Sequence, residues 1–169
     1  MESRAKAAGH AVHQQLVVFP LGLLGTAVIF DVIGLAVDDG RFAAASYLMI
    51  AAGVLSGLVA AVFGLVDFLA IPRETRARRI GLLHGGGNVV VLVLFAVSWV
   101  LRAGADGNVP GPAALVLGLA ALVVALGTGW LGGELVGRLG VGVDDDAGLD
   151  APAQLTTGIA THRGHATNP

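Results

Sequence analysis

Apolar residues fill four long stretches of the chain: Leu16 to Val37, Phe42 to Ile71, Leu82 to Leu101, and a fourth from Ala113 to Leu131 that GGELVGR prolongs to about residue 135. Each is long enough to cross a hydrocarbon core of about 30 Å as a helix, the conformation that satisfies every backbone polar group internally where no water can. The second is longer than a perpendicular crossing needs, so it must tilt or emerge into the headgroups. The connections VDDGR and RAGADGNVPGP are short, and short connections make neighbouring helices antiparallel. The pattern therefore predicts an all-α membrane protein, a four-transmembrane-helix up-down bundle over residues 16–142. Residues 1–15 form an N-terminal cytoplasmic segment in this reading, and residues 143–169, which open on an acidic run and carry no periodicity, a disordered cytoplasmic tail. No internal repeat is evident. The first stretch exceeds a signal-peptide core of about 7 to 15 residues and lacks a small-residue cleavage site, so it reads as a retained span.

Composition sharpens the picture in two places. With 55% hydrophobic and 13% charged residues, the chain lies outside the range of soluble domains. The absence of cysteine excludes disulfides, thiolate nucleophiles and an iron–sulfur cluster on the chain's own thiolates. Net charge, at −2, matters less than the placement of the basic residues. Arg4, Lys6, Arg73, Arg76, Arg78, Arg79, Arg138 and Arg163 fall on one side of the four spans, and only Arg41 and Arg102 on the other. Basic residues favour the cytoplasm, which predicts both termini inside a cytoplasmic membrane. Arginine's dominance over a single lysine, with abundant Ala, Gly and Val, fits a GC-rich bacterial genome. The loop arginines suit orientation and anionic headgroups, and no nucleic-acid partner is implied.

Glycine recurs at four-residue spacing in the second span (Gly53, Gly57) and the fourth (Gly129, Gly133, Gly137). Such pairs let membrane helices approach closely, which predicts that both faces are helix contacts. Gly85, Gly86 and Gly87 in succession predict a close neighbour or a bound group on the third helix.

Ionisable groups at membrane depth are costly and mark candidate sites. Asp31, near the outer end of the first span, reads as an interfacial carboxylate reaching water. The inner layer is richer: His10 and His13 lead into the first helix, Asp67 closes the second, His84 and Asn88 open the third, and Glu134 with Arg138 ends the fourth. Two imidazoles from facing helices at matched depth are what a b-type haem requires, and His13 with His84, or His10 in place of His13, meets that condition. Asp67 would accept a ligand's second ring N–H, with Asn88 and Glu134 also around the site. No histidine lies in the outer half, which argues against a two-haem wire. The alternative metal site is zinc or iron on His10, His13 and His84 with Asp67 or Glu134 as oxygen donor. A cofactor-free reading has the histidines lining a wet interface, Glu134 paired with Arg138 and Asp67 with a loop arginine. His162 and His165 belong to the tail and carry no weight. Catalytic motifs are absent, and GLLHGGGN follows no strand, so it is no dinucleotide cradle.

Four segments, GHAVHQQLVVFPLGLL, AAVFGLVDF, RARRIGLLHGGGN and GGELVGRLGVGV, resemble in order the landmarks of the bacterial membrane family called domain of unknown function 2231, over about Gly9 to Val143. The usual opening of that family has proline after each of the two first histidines, where this chain has Ala11 and Gln14. The resemblance implies a compact four-helix membrane domain, maps the family's landmarks onto His10, His13, Asp67 and His84, and implies a layout like small b-type cytochromes. A Rieske-type or other redox protein is the partner it implies, with electron relay as the chemistry. Against it stand a cofactor-free structural or partner-binding subunit and proton or ion translocation through Asp67, Glu134 and Asp31. Translocation is opposed by the gap, bridged only by Thr26, Ser56, Ser98 and Thr128, between Asp31 and the inner layer.

Overall fold

A computed structural model describes residues 1–153. Four helices long and apolar enough to span a membrane dominate it, as the hydrophobic pattern predicts. A two-residue β-hairpin, β1 (Lys6–Ala7) against β2 (His10–Ala11), precedes them, turning through Ala8 and Gly9, both at positive φ. Helix α1 (Val12–Leu16) leads through Val17 into α2 (Val18–Val37); then follow α3 (Gly40–Ala70), α4 (Arg76–Arg102), a 3-10 turn at Asp106–Asn108 and α5 (Pro112–Gly137). The tail expected over 143–169 lies, from residue 154 onward, outside the described residues, as do His162 and His165.

Local chemistry sets the boundaries. Pro20 has no N–H to offer the Leu16 carbonyl, and the chain breaks between α1 and α2. Asp39 caps α3 by accepting from the Arg41 amide at 3.0 Å, and Thr75 caps α4 by accepting from the Arg78 amide at 3.1 Å. Ile71, which precedes Pro72, is extended and ends α3. Pro112 opens α5 at a position where its missing N–H costs nothing. The third span thus starts at Arg76, six residues before the apolar stretch. The polar RARRI is helical because Arg78 lies 3.9 Å over the Phe68 ring and donates to the Phe68 and Ile71 carbonyls.

Helices α2 and α3 form one antiparallel hairpin and α4 and α5 another, and each is more extensive than any contact between them. Both hairpins bury the same spacing of positions. Pro20, Leu24, Ala27 and Asp31 in α2 correspond to Val91, Phe95, Ser98 and Arg102 in α4. Likewise Ser46, Ile50, Gly53, Ala60 and Asp67 in α3 correspond to Ala114, Gly118, Ala121, Thr128 and Leu135 in α5. The bundle is therefore a twofold repeat of burial where the sequence reading finds no internal repeat; most residue identities differ, but His13 and His84, and Gly64 and Gly132, fall at corresponding positions. The core, Leu24, Ala27, Val28, Ile50, Val91, Phe95 and Ala121, lies where the two hairpins meet. Large apolar side chains such as Leu48, Val123 and Leu126 face outward, where a lipid-spanning helix needs them.

The glycine expectation divides. Gly53 and Gly57 are buried, and Leu24 and Leu92 fill the space a Cβ would take. In α5 the prediction fails: among the described residues a Cβ at Gly129, Gly133 or Gly137 would meet nothing within 4 Å outside its own helix, and the contact runs instead through Gly118, Ala121, Thr128 and Gly132. Of the three consecutive glycines only Gly87 has a close neighbour, the Thr128 methyl.

Candidate functional site: two anchored imidazoles

His13 is the second residue of α1, and His84 lies in the third turn of α4. The bundle brings their rings together, with centroids 6.4 Å apart and planes at 86°. Each ring is fixed by the second helix of its own hairpin. His13 Nδ1 is 2.9 Å from the Ala60 carbonyl of α3, and His84 Nδ1 is 2.8 Å from the Thr128 carbonyl of α5. A carbonyl only accepts, so each Nδ1 carries a proton, and in the neutral ring Nε2 is the nitrogen with the lone pair. One turn beyond each carbonyl stands a glycine. A Cβ at Gly64 would come within 2.9 Å of His13 Cε1 and Nδ1, and a Cβ at Gly132 within 3.0 Å of His84 Cε1. Imidazole, carbonyl and glycine form the same device twice, once per hairpin.

Asn88 closes the His84 side. Its amide donates to the His84 carbonyl at 2.9 Å and lies 3.4 and 3.3 Å from the two ring nitrogens. The Thr128 hydroxyl is 3.2 Å from the Asn88 carbonyl oxygen, so one network holds ring, amide and helix α5 together.

Other residues of the expected site stand apart. His10 is exposed on β2, lining a shallow crevice with Gln14, Gly142 and Asp144. Asp67 does not take a histidine N–H, as expected, nor a loop arginine. Its carboxylate is 2.8 Å from the Ser3 hydroxyl at both oxygens and 2.7 Å from the Arg4 amide, which straps the N-terminal segment to α3. Glu134 pairs with Arg76 of α4 at 2.7 Å, not with Arg138. Among the described residues, no group of three His, Cys, Asp or Glu is placed to hold a metal ion.

The largest departure is at the opposite end. Asp31 does not reach water: only 2% exposed, it forms a two-pronged ion pair with Arg102, itself fully buried, at 2.7 and 2.6 Å. Ser46 of α3 and Ser98 of α4 add contacts to the guanidinium at 3.2 and 3.1 Å, and Ser98 donates onward to the Ala114 carbonyl of α5. The signal was present in the sequence. Asp31 follows His13, and Arg102 follows His84, by the same interval of about five helical turns, which returns to the same helix face.

The family model described as "Predicted membrane protein (DUF2231)" matches residues 9–145, the four spans and the hairpin strand that carries His10. The chain belongs to this family. No curated protein and no solved structure matches it. As a DUF2231 membrane protein it departs from the family's opening at Ala11, whose φ of −60° is the value a proline would impose, so the path into α1 is kept without the proline.

Proposed function

We propose that this membrane protein is a small electron-transfer module that holds one b-type haem between His13 and His84. The observation that carries the reading is the paired anchoring: two imidazoles 6.4 Å apart, each with Nδ1 committed to a main-chain carbonyl. Ligands to iron commonly have their second ring nitrogen held in this way, which fixes ring orientation. Spacing supports the same choice. Ring centres 6.4 Å apart leave space for one metal ion between the two rings, which both could hold. A zinc or iron site on three histidines is less well served, because among the described residues no three His, Cys, Asp or Glu side chains are grouped to hold a metal ion.

In this reading His13 and His84 would hold the group, Ala60 and Thr128 would set their tautomers, Gly64 and Gly132 would admit the rings, and Asn88 would hold His84 in place. Bound haem would supply one-electron redox chemistry. The site lies at the end of the bundle where the chain enters α1 and where Arg73, Arg76, Arg78 and Arg79 cluster, and this charge asymmetry supports a position on the cytoplasmic side of a bacterial inner membrane. A Rieske-type or other redox protein would exchange electrons there.

The test is purification in mild detergent from a haem-replete host, with a reduced-minus-oxidised spectrum and metal analysis of the wild type and of His13→Ala and His84→Ala. Haem in the wild type that falls by at least tenfold in each variant supports the assignment. A folded, colourless wild type refutes the cofactor, and haem retained in both variants refutes the ligands. Zinc without haem would favour the alternative metal.

A further inference from the structure

We infer that Asp31 and Arg102 determine which hairpins pair, directing α2–α3 to close on α4–α5 and excluding pairing of like hairpins from two chains. The inference is independent of what the histidines hold. Both hairpins bury the same spacing of positions at their common face, so a hairpin could in principle meet a copy of itself about a twofold axis, as in isologous dimers. Towards the end of that face opposite the histidines the two repeats differ in sign: Asp31 in one stands where Arg102 stands in the other. Pairing of first hairpins would bury two carboxylates together, and pairing of second hairpins two guanidiniums, each without a counter-charge in a low-dielectric interior. Only the mixed pairing joins Asp31 to Arg102 through two bonds, with Ser46 from the first hairpin and Ser98 from the second completing the shell.

Stability alone does not account for the pair, because apolar residues of similar volume at a buried ion-pair site are often neutral or better. Discrimination by a repulsive alternative does account for it. Among the described residues the guanidinium Nε has no hydrogen-bond partner, so the shell is built around the two carboxylate contacts and the serines, not around full satisfaction of the arginine.

The chain has no cysteine, so introduced pairs report directly. Gly57→Cys with Leu92→Cys joins α3 to α4 between the hairpins, where the Leu92 side chain lies against Gly57. Leu23→Cys with Gly53→Cys lies within the first hairpin, where a Cβ at Gly53 would be 3.4 Å from the Leu23 Cβ. Each pair is oxidised in membranes of the full chain, and intrachain disulfide is scored on gels. Asp31→Arg or Arg102→Asp should lower the between-hairpin disulfide by tenfold or more and leave the within-hairpin one intact. The exchange Asp31→Arg with Arg102→Asp should restore at least half of the between-hairpin yield. Unchanged cross-linking in the single variants, loss of the within-hairpin disulfide, or an exchange variant no better than the singles would each overturn the inference.

Discussion

Gly64→Ala tests whether the His13 ring is held as tightly as its surroundings imply. The added methyl would lie 2.9 Å from His13 Cε1 and Nδ1, whereas carbon contacts settle at about 3.5 to 4.0 Å, so the ring must recoil by roughly 0.6 Å. That recoil stretches its 2.9 Å bond to the Ala60 carbonyl towards about 3.5 Å, beyond useful hydrogen-bond range. The lost bond costs about 1 kcal/mol and the crowding about 1 to 3 kcal/mol, offset by about 1 kcal/mol of helix propensity gained on replacing glycine. The net expectation is a loss of about 2 kcal/mol, which for a chain of this size lowers Tm by roughly 4 to 8 °C. Gly133→Ala is the matched control: nothing lies within 4 Å of its added methyl, so it keeps the propensity gain and melts no lower than wild type. The assay is thermal unfolding in detergent followed by circular dichroism. A Gly64→Ala protein that melts with Gly133→Ala would refute the close packing of ring on glycine.

Two further outcomes concern the N-terminal strap. Asp67→Asn weakens two charge-assisted contacts, to the Ser3 hydroxyl and the Arg4 amide; at a loss of about 3 kcal/mol the segment opens on the order of a hundredfold more often, and trypsin should cut after Arg4 and Lys6 at least tenfold faster. Unchanged cleavage would show that the strap is held elsewhere. The second outcome is a pH window. Lys6, between Asp144 and Glu2, is held charged above the usual lysine range by its hydrogen bonds to them, and the Lys6 ammonium holds the Glu2 carboxyl below its usual range. Lysine raised in the fold contributes fully below its unfolded value of about 10.4 and is lost as pH rises further; glutamate lowered in the fold contributes above about 4.3 and is lost as pH falls. A spin label on Ala8→Cys should therefore be immobilised between about pH 5 and 10 and become mobile beyond either limit; mobility that is constant across the range would contradict the clamp.

The four spans were legible because the membrane leaves the backbone few choices, and uninterrupted apolar length reports that constraint directly. Their ends were less so. Arg76 to Ile80 looked like a loop because its arginines are polar, yet Arg78 is positioned by Phe68, a contact no local pattern encodes. Among the candidate residues, depth and helix order sufficed to select His13 and His84, since both are rare polar groups in apolar surroundings. The groups that orient them were hidden for a simple reason: Ala60 and Thr128 act through main-chain carbonyls, which every residue possesses. Asp67 is buried but has other partners than the histidine or loop arginine expected, because Ser3 and Arg4 reach it only through the fold of the N-terminal β-hairpin. Asp31 and Arg102 were each judged alone, and a lone charge near a helix end normally reaches water. Their equal intervals from the two histidines identify them as a pair. Four-residue glycine spacing said that Gly129, Gly133 and Gly137 share a face of α5 without saying that the face looks outward.

The pairing of His13 with His84 is tested most directly by the haem-to-chain ratio of the purified wild-type protein, together with low-temperature electron paramagnetic resonance of its oxidised form. One haem per chain with the low-spin signal of two axial imidazoles is the predicted result. A high-spin signal, or a folded protein whose ratio stays near zero in a haem-replete host, would contradict it.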